Sequence, residues 1–176
     1  MASSEEAPLV VLGFGSNRGD GGAIFRAAAE RLGARLGSPR LSPFYTSDPM
    51  YVVDQPRFLN AALSGRFGGT PRELLALVQE TEAAFGRDRS RERPKGERTL
   101  DIDILLFGSA VVDEGPVLII PHPGLAERKF ALLPLLALQP DAVHPRTGVP
   151  LADSFAALPP QGIYYAELGP YNGPHG

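Results

Sequence analysis

The segment Thr99-Leu100-Asp101-Ile102-Asp103-Ile104-Leu105-Leu106-Phe107-Gly108 restricts the folds open to this chain more than any other. Leu100, Ile102, Ile104, Leu105, Leu106 and Phe107 read as a strand buried in a sheet, yet two carboxylates stand among them, two residues apart. Successive strand side chains alternate faces, so Asp101 and Asp103 point the same way, with Cα atoms about 7 Å apart. Charge buried without a partner is very costly. The strand must therefore begin at a cleft, and a divalent cation is the natural partner for the pair. The competing reading is an edge strand whose acids face solvent, against which its apolar neighbours count.

Immediately upstream, residues 86–98 carry Arg87, Arg89, Arg91, Arg93, Lys95 and Arg98 against Asp88, Glu92 and Glu97. Each guanidinium can bind a phosphate in bidentate fashion. An exposed charged linker or a nucleic-acid patch would show the same composition, but the position of this loop, between a glycine-terminated helix and the aspartate strand, favours a phosphate clamp. Magnesium takes few hard oxygen ligands from the protein and completes its octahedron with water and phosphate. Two such ions about 4 Å apart could share the aspartate pair. Carboxylates of this kind beside phosphate-binding arginines suggest phosphoryl-type transfer from a nucleotide.

The rest of the composition narrows the partners. A chain of 176 residues with 43% hydrophobic content supports one globular domain with a real core. Its net charge of -3 argues against a protein that coats nucleic acid or an anionic membrane. There is no cysteine, so disulfides and thiolate metal sites are excluded. The first eight residues lack the basic and apolar regions of a signal peptide, and no run approaches the ~20 apolar residues of a membrane span. These features predict a cytoplasmic protein with a flexible tail over residues 1–7, a single domain over 8–158, and a poorly ordered, Pro- and Gly-rich tail over 159–176.

Residues 9–15 read as a first buried strand ending in Gly15-Ser16-Asn17, and a helix follows through Ile24, Ala27, Ala28, Leu32 and Leu36. Strands are predicted over residues 42–46 and 58–67, with a long loop over 47–57 that contains Pro49 and Pro56. Thr70-Pro71-Arg72-Glu73 is a capping box with proline at the first helical position, and the helix it starts stops at Gly86. A short strand over 117–120 closes on Pro121-His122-Pro123, and residues 126–138 predict a helix interrupted or kinked at Pro134. The order β-α-β-β-α-β with further elements predicts an α+β fold with a ferredoxin-like sheet. Asn60 and Phe58 share a strand face, and an amide beside a ring suits a planar heterocycle, although a core strand explains Phe58 equally well. Gly13-Phe14-Gly15-Ser16-Asn17 is no dinucleotide fingerprint or P-loop, and His122, between two prolines, could be structural.

Taken in order, Gly15-Ser16-Asn17, Phe44-Tyr45, Asp54-Gln55-Pro56, Phe58-Leu59-Asn60-Ala61-Ala62, Glu82, Gly86-Arg87, residues 98–105, Pro121-His122 and Arg128-Lys129-Phe130 closely resemble the 6-hydroxymethyl-7,8-dihydropterin pyrophosphokinase family of folate biosynthesis, over residues 10–145. The resemblance implies ferredoxin-like α/β/α layers with a mainly antiparallel central sheet. It also implies transfer of the pyrophosphoryl group of ATP to the pterin hydroxymethyl oxygen, releasing AMP. By the same resemblance Asp101 and Asp103 are the ligands of two magnesium ions, and Arg87 and Arg98 accompany the transferred group as catalytic residues. Arg89 and Arg128 are implied as phosphate contacts, and Leu75, Gln79, Glu82, Ile104 and His122 as the rest of the ATP site. Asn60 is implied to read the pterin edge between the rings of Phe58 and Phe130, with Ser47, Asp48 and Met50 lining the pocket. The expected partners are ATP and the hydroxymethyl dihydropterin, with no nucleic acid, no membrane and a monomeric state. In place of the family's usual Arg-Trp-Gly-Pro-Arg the chain has Arg93-Pro94-Lys95-Gly96-Glu97-Arg98, without the tryptophan and one residue longer. A ferredoxin-like RNA binder and a phosphoryl transferase that releases ADP are the rival readings.

Overall fold

Strand β1 (Leu9–Ser16) runs through the middle of the molecule and divides its core. Val10, Leu12 and Phe14 alternate onto one face, where they meet Phe25, Ala28 and Leu32 of α1 (Gly21–Gly33) and Leu74, Leu77 and Val78 of α2 (Pro71–Ala84). Val11 turns to the other face, against Leu132, Leu135 and Leu138 of α3 (Lys129–Leu138) and Leu151 of α4 (Leu151–Ala157). Apolar burial on both faces of one sheet, with helices over each, makes the three layers that the sequence predicts. The structure, a computed structural model, describes residues 6–49, 54–86 and 99–166. Among these no helix is long and apolar enough to cross a membrane.

The main sheet has the order β5-β1-β4-β3-β8, built from β5 (Asp101–Phe107), β4 (Phe58–Arg66), β3 (Tyr45–Ser47) and β8 (Ile163–Tyr165), with β2 (Gly37–Leu41) also on β4. Every pairing is antiparallel. Strands β6 (Val112–Glu114) and β7 (Leu118–Ile120) form a separate hairpin. A register shift on β5 opposite Val11 and Leu12 turns both Leu105 and Leu106 toward the α3 layer.

Local chemistry sets the helix starts. Asp20 accepts a hydrogen bond from the Ala23 amide at 3.1 Å at the head of α1. At α2 the predicted capping box is complete: Thr70 Oγ1 accepts from the Glu73 amide, Glu73 Oε2 accepts from the Thr70 amide, and Pro71 opens the helix.

Three expectations need correction. The strand expected over 42–46 begins later, as β3 at Tyr45, and β2 lies wholly before it along the same edge of β4. Pro43 has no amide to give the ladder, and Ser42 bridges the gap by exchanging bonds with Ala62 through its backbone amide and its hydroxyl, both at 2.8 Å. The helix over 126–138 breaks at Arg128, in extended backbone between a 3-10 turn (Leu125–Glu127) and α3, whereas Pro134 lies buried inside α3. Finally, within the expected tail from 159, residues Ile163–Tyr165 form β8 against β3. Strand β2, hairpin strand β6 and helix α4 had no counterpart in the sequence reading.

Candidate active site

Register places the key side chains in one lateral row. Gly15 on β1 is the partner of Asp101 on β5 and of Asn60 on β4, and Asn60 is in turn opposite Tyr45 on β3. The next row on the same face holds Asp103, Gly13 and Ala62. This is the α3 side of the sheet, since the intervening Ile102 and Phe14 belong to the α1/α2 core. Both aspartates thus share a face, as alternation required, and both are half-buried. Because β1 lies between β5 and β4, carboxylates and Asn60 are about two strand spacings, ~10 Å, apart across a floor of glycine. A Cβ at Gly15 would come 3.9 Å from that of Asp101 and otherwise stand in open space.

The loop after β7 brings His122 over this floor. Its amide donates to Leu105 O at 3.2 Å, and its Nε2 lies 3.7 Å from Asp103 Oδ1. Its Nδ1 accepts from the Gly124 amide at 3.1 Å, which assigns the ring proton to Nε2, on the Asp103 side. Burial, and then the Arg128 guanidinium, hold the imidazole below its ordinary pKa, while Asp101 pulls the other way. Arg128 lies with its Cζ 5.8 Å from the Phe130 ring centroid, at the start of α3.

On the other side of the floor Asn60 is buried, 4% exposed. Its Nδ2 donates to Ser47 Oγ at 2.8 Å and reaches the carbonyl oxygens of Tyr45 and Phe58 at 3.4 and 3.3 Å. Phe58 is opposite Ser47 in register and on the same face as Asn60. Asp48 follows at the strand end, with its Oδ1 2.9 Å from Arg57 Nε. Two of the motif segments meet here: Asn17 Nδ2 donates to Gln55 Oε1 at 2.8 Å and to Pro56 O at 3.2 Å, which ties the end of β1 to the approach to β4.

The nucleotide residues expected on α2 lie across the outer edge of β5. Glu82 is buried, 3% exposed, and its Oε2 accepts from the Ile102 amide at 3.1 Å. By the two-residue alternation of an antiparallel ladder, the backbone groups of Ile104 face the same edge. The Ile104 side chain itself is buried in the α1/α2 core, Leu75 packs against that core, and Gln79 is exposed. Arg87, Arg89, Arg98 and Met50 lie outside the described residues.

Two half-buried carboxylates on one face, above glycine, fit magnesium, which takes one or two carboxylates from a protein and its other oxygens from water and phosphate. Among the described residues no group of three or more acidic or histidine side chains is built to enclose an ion. The sequence reading missed the role of Gly15 as floor. Its register against Asp101 was the signal, and it needed the strand pairing to be read.

A family model described as 7,8-dihydro-6-hydroxymethylpterin-pyrophosphokinase (HPPK) matches residues 11–140. A 2-amino-4-hydroxy-6-hydroxymethyldihydropteridine pyrophosphokinase of Methylorubrum extorquens is 40% identical over 159 residues, covering 89% of this chain and 97% of the relative. A folic acid synthesis protein, fol1, of Schizosaccharomyces pombe is 43% identical over 91% of this chain, which spans only 22% of that protein's length. In fold, the chain is similar to a crystal structure of an HPPK-DHPS in complex with substrates, with a TM-score of 0.67, 14% identity, and coverage of 86% of this chain and 43% of the other.

Proposed function

The chain belongs to the 7,8-dihydro-6-hydroxymethylpterin-pyrophosphokinase family, and from that premise we propose that it transfers the pyrophosphoryl group of ATP to the hydroxymethyl group of 6-hydroxymethyl-7,8-dihydropterin, releasing AMP, in folate biosynthesis. The observation that supports this reading is the lateral row Asp101–Gly15–Asn60, with Asp103 one row on, which sets two carboxylates and an amide on one face with a glycine between Asp101 and Asn60.

In this reading the pterin lies between Phe58 and Phe130, with its edge on Asn60 and its hydroxymethyl group directed along the floor toward Asp101 and Asp103. Ser47, Asp48 and Met50 line its pocket. ATP approaches over the outer edge of β5, its base beside the backbone of Ile104 with Leu75, Gln79 and Glu82 on one side, and its phosphates beside His122, Arg89 and Arg128. Asp101 and Asp103 would hold two magnesium ions, which when bound offset negative charge on the phosphate oxygens. A bond forms from the pterin oxygen to the β-phosphorus, and the bond from that phosphorus to the oxygen retained by AMP breaks. The hydroxyl proton passes to solvent or phosphate, since no residue of the floor is assigned as base. Holding the two reactants in line accounts for much of the rate, and Arg87 and Arg98 supply positive charge as the transition state forms.

A single domain over residues 8–158, extended by β8, acts on these small molecules as a cytoplasmic monomer, with neither nucleic acid nor membrane as partner. Product analysis decides the chemistry. Incubation with ATP, magnesium and the hydroxymethyl dihydropterin is expected to yield AMP and the pterin diphosphate in equal amounts, and a chelator is expected to stop it. Release of ADP would assign a simple phosphoryl transferase instead.

A further inference from the structure

Two adjacent residues near the C-terminus touch both sides of the space assigned above to the pterin. Gln161 donates from Nε2 to Glu127 O at 3.0 Å and accepts at Oε1 from the Lys129 amide at 2.9 Å. Lys129 opens α3, and its preceding residue, Arg128, makes no side-chain cap. The amide of Gln161 thus satisfies from a distant part of the chain a helix-start donor that the local sequence leaves to other partners. The turn it fixes carries Arg128 and Phe130 on either side of Lys129.

Gly162 holds the opposite wall. Its carbonyl accepts from the Asp48 amide at 2.9 Å, and the Asp48 carboxylate lies so close that a Cβ on Gly162 would meet Asp48 Cγ at 2.7 Å. Tyr164 completes this contact. Its hydroxyl donates to Asp48 Oδ2 at 3.3 Å, and its ring lies under Arg57, which itself pairs with Asp48. The anchor of the α3 wall and the anchor of the Ser47-Asp48 wall thus sit on adjacent residues, with the Gln161 amide held at both its nitrogen and its oxygen.

We infer that Gln161 and Gly162 are positioning residues that join the two walls of the pterin pocket and set its width, an inference that rests on the pterin reading proposed above. These contacts are largely exposed, where single hydrogen bonds contribute little to global stability. Their effect falls on the geometry of the pocket, where a preorganised site binds more tightly because less order is lost on binding.

The test uses the full chain and calorimetry with 6-hydroxymethyl-7,8-dihydropterin and, separately, a non-hydrolysable ATP analogue with magnesium. Gln161→Leu and Gly162→Ala are each expected to weaken pterin binding by about tenfold, with unfolding midpoints close to that of the parent. Gly162→Ala acts on the Asp48 side alone, so its affinity for the ATP analogue stays within about twofold, whereas Gln161→Leu, next to Arg128, weakens both ligands. Should Gly162→Ala not fold, Tyr164→Phe removes the hydroxyl contact to Asp48 without adding volume and is expected to weaken pterin binding selectively. Unchanged pterin affinity in either wall's variant overturns the inference, including the case where only the unfolding midpoint falls. If the parent protein binds the ATP analogue but no pterin, the proposed substrate fails and the inference with it. If the parent binds both and the variants match it, only the inference fails.

Discussion

Gly15 and Asp101 are register partners on neighbouring strands, and a methyl group added to Gly15 would reach only ordinary van der Waals contact with the aspartate. Two residues earlier on the same face, a methyl group on Gly13 would come 3.2 Å from Leu105 Cδ1, a side chain locked in the α3 core. The two glycines therefore separate function from packing. Gly13→Ala is expected to destabilise the fold by about 1 kcal/mol through overpacking. Gly15→Val, a residue well suited to strands, is expected to fold normally yet to lower kcat/KM by on the order of 100-fold, because its branches occupy the floor where the reacting groups must align. Urea midpoints and initial rates on both variants check the pair, and a Gly15→Val enzyme of near-parental activity would show that no ligand crosses the floor.

Asp103 has a side chain 38% exposed, so its charge can be removed without leaving a hole in the core. Asp103→Ala is expected to retain its thermal midpoint within a few degrees while losing on the order of 100-fold or more in AMP release, by analogy with the removal of a charge-stabilising group elsewhere. A wild-type rate at ordinary magnesium in this variant would end the metal assignment.

For Asn60 the readout is affinity. Its amide is held by Ser47 and by two backbone carbonyls, which orients it before any ligand arrives. Replacing it by alanine leaves polar groups of a buried heterocycle without partners, a loss of about 1–3 kcal/mol. Asn60→Ala is expected to weaken pterin binding by a corresponding factor in calorimetry and to leave the ATP analogue unaffected. The opposite pattern would move Asn60 to the nucleotide side.

How much of this was legible in the sequence depends on how local each determinant is. The start of α2 is written in four consecutive residues, Thr70 to Glu73, whose bonds close within one turn, and it was read correctly. The shared face of Asp101 and Asp103 follows from strand periodicity alone. Strand β2, by contrast, has Gly37, Pro39 and Ser38 at a φ of 49°, little strand propensity, and a register shift against β4, so its pairing is imposed by its neighbour. Strand β8 lies in a Pro- and Gly-rich stretch and is strand because the edge of β3 is there to receive it. The break at Arg128 in place of Pro134 has the same origin: α3 packs Pro134 into the core, and the turn before it is held by Gln161, more than thirty residues away. The floor was hidden for another reason, since glycine marks it by the absence of a side chain and only the register shows what stands on either side.

Glu82 offers the sharpest division between a residue that binds and one that positions. The resemblance groups it with the ATP site, yet its carboxylate reaches across from α2 to the Ile102 amide, the backbone link between Asp101 and Asp103. Among the described residues β5 pairs only with β1 in the main sheet, so the Ile102 amide takes its acceptor from Glu82, and a buried donor left without an acceptor costs about 1–3 kcal/mol. Glu82→Ala is therefore expected to lower the unfolding free energy by that amount and, by freeing the Ile102 backbone, to raise the magnesium concentration needed for half-maximal activity. Glu82→Gln keeps an acceptor oxygen at the same reach and is expected to recover most of both losses. Urea unfolding and magnesium titrations on the two variants give the answer together. If Glu82→Ala were as stable as the parent and as responsive to magnesium, with the whole loss in ATP affinity, the carboxylate would be a nucleotide ligand and its bond to Ile102 incidental.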